Sequence, residues 1–214
     1  FYYDCKTKYE KNKLLDSVVS FILLFNSVFF ILLYVFGPYL FSWIFKNNKI
    51  DFFPYILLAI ASGMFLPIIQ AYTSFIKNEK KILKFASIQL LFIISGILLQ
   101  IILISNFKLL GALWAKLLTN ILTVSLVLFY LRKILRFHLN KEILKKCLKF
   151  SLPLIPFFFV FWIGRYADRY ILERFITLSD IAVFGLLMTF AGLVSMASEA
   201  LANSIQPYLF EAYN

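Results

Sequence analysis

The stretch SVVSFILLFNSVFFILLYVFGPYLFSWIF, residues 17–45, contains no Asp, Glu, Lys or Arg. About 20 consecutive apolar residues are enough for a helix to span the hydrocarbon core of a bilayer. The whole chain shares this character, because 62% of its residues are hydrophobic and only 15% are charged. A soluble domain has roughly 45–50% apolar and about 25% charged residues. The sequence therefore predicts an integral membrane protein.

Five further segments have a similar length and apolar character: 52–76, 85–107, 109–131, 150–172 and 181–208. The strands of a transmembrane barrel are about ten residues long and alternate polar with apolar residues, which these segments do not do. No connection between the segments is long enough for a soluble domain. We predict an all-α, polytopic transmembrane helix bundle with about six spans.

Proline and polar side chains within the spans predict local features of the bundle. Pro67 lies inside the second span, where its missing N–H is expected to kink the helix. Uncharged polar residues also occur at membrane depth, and we expect most of them to bridge helices and some to contact sugar hydroxyls. They are Asn26, Gln70, Gln89, Gln100, Asn120, Asn203 and Gln206.

Lys and Arg are distributed unevenly over the connections. Segments 4–13, 77–84 and 132–149 hold fifteen of them, whereas the alternate connections 46–51, 105–108 and 173–180 hold four. Cytoplasmic connections carry an excess of Lys and Arg, so the three basic segments are predicted to be cytoplasmic. They account for most of the net charge of +11. Contact with anionic lipid headgroups explains this charge, and we expect no nucleic-acid partner.

Signatures of catalysis and of metal binding are missing from the sequence. Cys5 and Cys147 lack metal-ligand spacing, and His138 is the single histidine. HExxH, a nucleophile motif and a glycine-rich phosphate loop are all absent. We therefore expect no enzyme, no cofactor and no metal site. Because the chain starts without Met at Phe1 and stops at Asn214, we also expect an internal piece of a longer protein.

The stretch FWIGRYADRYILERF, residues 161–175, places charges at the end of an apolar run. A central Arg or Asp costs about 2.5–3.5 kcal/mol on the insertion scale, so these side chains need a partner or a water-filled cavity. Arg165, Asp168 and Arg169 are spaced for one helical stripe with net positive charge, and guanidinium groups bind phosphate in bidentate fashion. The three residues are candidate substrate-binding residues for an anion. The alternative is a structural Arg165–Asp168 ion pair, with Glu173 and Arg174 in the outer headgroup region.

Two more charges lie inside predicted spans. Lys116 is a weaker candidate for the same cavity, although it could also snorkel to the outer surface. Glu199 is a possible coupling-ion residue, because an intramembrane carboxylate can hold a proton or a cation such as Na⁺. It could equally be an acid that faces the interface.

The region 148–214 resembles the middle of a known family. Its matching elements are FSLPLIP (150–156), ADRYIL (167–172) and IQPYLFE (205–211). These elements are similar to bacterial polysaccharide flippases, the O-antigen and capsule repeat-unit transporters of the multidrug/oligosaccharidyl-lipid/polysaccharide exporter superfamily. In IAVFGL (181–186), Phe184 replaces the Tyr usual in that family. Over 14–131 the resemblance is one of hydropathy.

The resemblance implies a transporter of about 12–14 helices arranged as two bundles around a central cavity. Residues 1–131 would hold the end of helix two and helices three to six of the N-terminal bundle. Residues 132–149 would be a basic cytoplasmic linker, and 150–214 the first two helices of the C-terminal bundle.

The function implied by this resemblance is that of a flippase in the bacterial cytoplasmic (inner) membrane. Its substrate would be an undecaprenyl-diphosphate-linked oligosaccharide repeat unit, and membrane lipids, a polysaccharide polymerase and chain-length proteins would be partners. A multidrug or small-molecule antiporter of the same superfamily is the main alternative. A membrane polymerase or ligase is less favoured because the outer connections are short, and a scaffold would not need charges within its spans.

Overall fold

The computed structural model describes residues 2, 5, 7–44, 51–172 and 175–212. Within these ranges, the side chains of residues 44, 165, 169, 170, 178, 197, 203, 207, 208 and 210–212 are not described. The described chain is almost entirely helical and contains no strand. Five helical segments are long and apolar enough to cross a membrane. The predicted all-α fold is confirmed.

The helices, in chain order, are α1 (Lys8–Ile44), a π-helical turn (Phe52–Ile56), α2 (Leu57–Met64), α3 (Leu66–Asn78), α4 (Ile82–Leu131), α5 (Lys141–Ser151), a 3₁₀ turn (Leu152–Leu154), α6 (Ile155–Leu172) and α7 (Leu178–Ala212). They form two compact units, which we call the N-terminal unit (Tyr2–Lys141) and the C-terminal unit (Glu142–Asn214). The division lies inside segment 132–149. Assignment of these parts to two bundles of a larger transporter stays a prediction.

Local sequence signals explain where two of the long helices begin. Before α1, the Glu10 N–H donates to Thr7 Oγ1 (3.2 Å) and the Thr7 N–H donates to Glu10 Oε2 (3.2 Å). Thr177 and Asp180 form the same reciprocal pair at α7, with both backbone distances at 3.3 Å. Such capping boxes satisfy N–H groups that the first helical turn leaves free.

Helix α4 is folded back on itself at Lys108, whose φ of 50° and ψ of −125° are not helical. A straight helix of 50 residues would be about 75 Å long, more than twice the thickness of the hydrocarbon core. Thr119 instead lies beside Gly96, where an added Cβ would be 3.6 Å from Thr119 Cγ2. The two arms, 82–107 and 109–131, therefore run antiparallel and correspond to the third and fourth predicted spans.

The second helical segment is broken where Pro67 predicts a kink. A turn at Phe65 separates α2 from α3, because Pro67 has no N–H to bond the preceding helical turn. Side chains from two other helices bond carbonyl groups at this break. Asn120 Nδ2 donates to the Ser62 carbonyl oxygen, and Asn26 Nδ2 to that of Met64, each at 2.7 Å. The predicted kink and the predicted bridging by Asn26 and Asn120 are confirmed.

The hydrophobic core of the N-terminal unit is formed by α1, α3 and the two arms of α4. Its most deeply buried members include Val19, Ile76, Ile88, Val127 and Leu131. Tyr2 packs edge-on against Phe75, with ring centroids 5.5 Å apart, and Tyr72 stacks on Tyr130 at 6.4 Å. These contacts bring the start of α1, the end of α3 and the end of α4 together. We call this end, which carries segments 7–13, 77–84 and 132–138, the basic end.

Apolar side chains cover much of the outer surface of the helices. Leu24, Phe25 and Ile31 on α1 are more than half exposed, as are Ile97 and Ile101 on the first arm of α4. Helices α6 and α7 are similarly exposed, and their most apolar stretches contain no buried residue. Exposed aliphatic and aromatic surface of this extent fits a lipid environment, which agrees with the predicted membrane protein.

The fifth predicted span differs from the structure at its start. The prediction begins the span at 150, whereas helix begins at Lys141 and passes through the 3₁₀ turn at Pro153 into α6. Half of the predicted linker 132–149 is therefore helical. The basic residues suggested a connection, but Ile143, Leu144 and Cys147 follow the three- and four-residue spacing of an amphipathic helix.

Candidate functional site

The charged candidates of the C-terminal unit lie on one helix. Positions 165, 168 and 169 all fall within the last three turns of α6, so the backbone places them on the stripe that their spacing predicts. The side chains of Arg165 and Arg169 lie outside the described residues, as do Glu173 and Arg174 entirely. Whether the three form a substrate cavity stays a prediction.

Asp168 is half-buried, and its Oδ1 atom is buried without a hydrogen-bond partner among the described residues. Buried carboxylate oxygens nearly always have a donor, because an unpaired one keeps the full cost of losing its water. Two positively charged donors are close in the sequence: Arg165 lies three positions before Asp168, and Arg169 lies one position after it. The Oδ1 atom of Asp168 therefore needs a cation or a hydrogen-bond donor close to it.

Lys116 points away from the core of the N-terminal unit. It is exposed, whereas its neighbours Ala115 and Leu117 are buried. The ammonium group therefore takes no part in the packing of that unit, and its role in substrate binding stays a prediction. Glu199 is also exposed on α7. Its proposed role in ion coupling likewise stays a prediction.

A polar cluster at the basic end was missed by the sequence reasoning. Asp16, near the start of α1, is only 4% exposed. Its Oδ1 accepts hydrogen bonds from the backbone N–H groups of Arg136 (2.9 Å) and Phe137 (3.2 Å), and its Oδ2 accepts one from the N–H of His138 (3.3 Å). One carboxylate thus binds three successive N–H groups.

The backbone conformation after α4 makes this arrangement possible. Phe137 has a φ of 53°, in the left-handed region. Successive N–H groups that converge around such a residue form a concave anion site called a nest, and here the bound anion is the Asp16 side chain. Ser17 adds two bonds, since its Oγ donates to the His138 carbonyl oxygen (3.3 Å) and accepts from the Asn140 N–H (3.4 Å). Asp16 and Ser17 therefore hold segment 135–140 against α1.

A cavity of about 360 Å³ opens beside this cluster. It is lined by Tyr9, Asn12, Lys13, Asp16, Lys133, Ile134, Arg136 and His138. Three of these side chains are cations and one is an acid, so the lining carries a net positive charge. Electrostatically the cavity is suited to an anion. In the sequence, the only signal for it is an acid followed by serines where a basic segment meets an apolar span.

Metal binding has no support from the described side chains, since no group of three or more His, Cys, Asp or Glu residues comes together among them. Comparisons of the chain with protein-family models, with curated proteins and with solved structures give no match. The functional argument therefore depends on the geometry of the chain itself and on the resemblance of segment 148–214.

Proposed function

We propose that this chain acts as a flippase for lipid-linked oligosaccharides. The substrate is an undecaprenyl-diphosphate-linked repeat unit, and the transport moves it across the bacterial cytoplasmic membrane for surface polysaccharide synthesis. Two things support the proposal. One is the resemblance of segment 148–214 to polysaccharide flippases, and the other is the charged stripe on α6.

The stripe on α6 is the observation that carries the proposal. Helix α6 presents exposed apolar residues from Phe157 to Ile163, and within two turns it adds Arg165, Asp168 and Arg169. Charges at membrane depth are costly and usually mark a substrate or ion pathway. Two arginines with one aspartate leave the stripe net positive, which suits a diphosphate.

The mechanism follows from charge and from alternating access. A diphosphate loses its hydration when it enters the bilayer, and arginine guanidinium groups replace part of that hydration with bidentate hydrogen bonds. Asp168 holds the arginines in place and partly neutralises them when no substrate is bound. Rocking of two bundles about the site then exposes it first to one face of the membrane and then to the other.

The orientation of transport is part of the same proposal. The basic end of the N-terminal unit faces the cytoplasm, where the repeat unit is completed, because Lys and Arg concentrate in cytoplasmic connections. The flipped product is delivered to the outer face. A polysaccharide polymerase and chain-length proteins act on it there.

The test is a deletion of the gene followed by a sidedness assay on isolated membrane vesicles. Accumulation of lipid-linked repeat units on the cytoplasmic face, with loss of surface polysaccharide, is the expected result. Wild-type protein should restore transport, whereas Arg165→Ala should not, although it should reach the membrane in normal amount. Arg165→Lys should restore transport only in part, because lysine keeps the charge but loses the bidentate geometry.

Two results would count against the proposal at different levels. Full surface polysaccharide in the Arg165→Ala strain would remove Arg165 from the site. Normal polysaccharide and no trapped intermediate in the deletion strain, in a genome with no second flippase, would overturn the function itself. Accumulation of a toxic cation in that strain would point instead to the antiporter alternative.

A further inference from the structure

The cavity at the basic end is lined by residues of the N-terminal unit, and the proposed transport mechanism does not use it. Residues of two segments far apart in the sequence build it, the first turns of α1 and the segment after α4. Asp16 fixes its floor through the three backbone bonds described above. The shape of the cavity is therefore fixed by the folded structure of the N-terminal unit.

The cations around this cavity have no acidic partner in the part of the chain that the structure describes. Lys13, Lys133 and Arg136 line it, and within the described ranges no salt bridge involves any of them. Asp16 lies deeper, and its oxygens are used by backbone N–H groups and by Ser20 Oγ, which donates at 3.4 Å. The carboxylate of Asp16 already accepts hydrogen bonds from the protein, whereas the three cations have no described ion-pair partner. The cavity therefore has an excess of positive charge and unused hydrogen-bond donors.

The position of the cavity along the helices indicates what can reach it. Lys13 lies one turn before the charge-free stretch that starts at Ser17, and Lys133 follows the end of α4 at Leu131. Both therefore stand where an apolar span meets the membrane surface. Lipid phosphate groups are found at that depth, and basic pockets between helix ends bind anionic headgroups.

We propose that this cavity binds a phosphate group, supplied by the headgroup of an anionic membrane lipid. Lys13, Lys133 and Arg136 contact the phosphate oxygens, with Arg136 able to bind two of them. Tyr9 and Asn12 add neutral polar groups at the rim. By binding α1 and the segment after α4 together, the lipid stabilises the basic end of the N-terminal unit.

The experiment measures lipid binding by the full-length protein in nanodiscs or by native mass spectrometry. The probes are phosphatidylglycerol, phosphatidylcholine and inorganic phosphate. The test variant is Lys13→Gln with Arg136→Gln, because neither side chain makes a described hydrogen bond whose loss would unfold the protein. The matched control is Lys145→Gln with Lys146→Gln, which removes the same charge from exposed positions of α5.

Wild-type protein should retain phosphatidylglycerol in preference to phosphatidylcholine, and the test variant should bind it about tenfold or more weakly. The control variant should bind as wild type does. If millimolar inorganic phosphate does not displace the lipid, the result would support a lipid headgroup as the source of the bound phosphate. If phosphate displaces the lipid and the protein shows no preference between the two lipids, the proposed lipid site would be overturned.

Equal loss of binding in the test and control variants would show only diffuse charge attraction and would also overturn the proposal. Lys133→Glu provides a second variant, and reversal of that charge should weaken binding further. All of these readouts are binding measurements. A negative result here therefore leaves the transport assay, and the flippase proposal that it tests, unaffected.

Discussion

The amide nitrogen of Asn120 lies 2.7 Å from the carbonyl oxygen of Ser62, so α4 is hydrogen-bonded to the end of α2 at the break before Pro67. Asn120 is only 1% exposed, and its partner Ser62 lies in the last turn of α2, five residues before Pro67. In a bilayer, a carbonyl freed by a helix break has no water to bond. The break therefore depends on side chains from neighbouring helices.

Replacement of Asn120 by Ala is expected to destabilise the N-terminal unit by about 0.6–2 kcal/mol, the range found for interhelical hydrogen bonds in membranes. The measurement is unfolding in mixed micelles with increasing denaturing detergent. Asn106→Ala is the matched control, because the Asn106 amide bonds only the Ile102 carbonyl of its own helix and is exposed. Equal effects of the two substitutions would contradict the role assigned to Asn120.

Asp16→Ala is expected to release segment 135–140 from α1. The substitution leaves the N–H groups of residues 136–138 without their acceptor, at a cost of about 1–3 kcal/mol or more. Asp16→Asn keeps one acceptor oxygen and should have an intermediate effect. Limited trypsin digestion in detergent measures the release through faster cleavage after Lys133 and Arg136.

The same digestion contains its own control. Cleavage after Lys145 and Lys146 reports on α5, which makes none of the Asp16 bonds. Its rate should stay constant across the wild type and both variants. Acceleration at all four positions would indicate general unfolding rather than release of one segment, and unchanged cleavage after Arg136 would show that Asp16 does not hold it.

Gly111→Ala is expected to open the α4 hairpin. A Cβ at this position would overlap the carbonyl oxygen of Leu103 in the opposite arm, a backbone atom that cannot move aside on its own. Overpacking of this kind typically costs about 1–3 kcal/mol. Gly63→Ala is the control, because open space surrounds that glycine and alanine favours helix. The detergent unfolding assay compares them, and equal stability of the two variants would argue against close contact of the arms.

The transmembrane architecture could be predicted because its signal is local. Each span is an apolar run, and the charge of Lys108 marked the turn between the third and fourth spans although helix continues on both sides of it. The kink at Pro67 was also predictable, since it follows from one missing N–H. Positions 165, 168 and 169 were placed on a helix because the apolar run of residues 150–172 predicted one, and α6 contains all three positions.

The Asp16 cluster could not be predicted, because its partners lie about 120 positions later in the sequence. A single acid beside a basic segment is consistent with many surface arrangements. Only the fold shows that a left-handed residue at Phe137 turns three N–H groups toward it. The start of α5 at Lys141 was missed for a different reason, because its lysines were given more weight than its apolar spacing.

Cysteine accessibility tests the orientation of the hairpin in the membrane. In a background with Cys5→Ser and Cys147→Ser, we expect Lys108→Cys to react with a membrane-impermeant maleimide in intact cells. Lys81→Cys should react only after the membrane is permeabilised, because the arm 82–107 places positions 81 and 108 at opposite ends of a span and the proposed orientation puts basic segment 77–84 in the cytoplasm. Labelling of both positions from the same side would contradict the spanning arm. The opposite pattern would reverse the orientation, and with it the direction of the proposed transport.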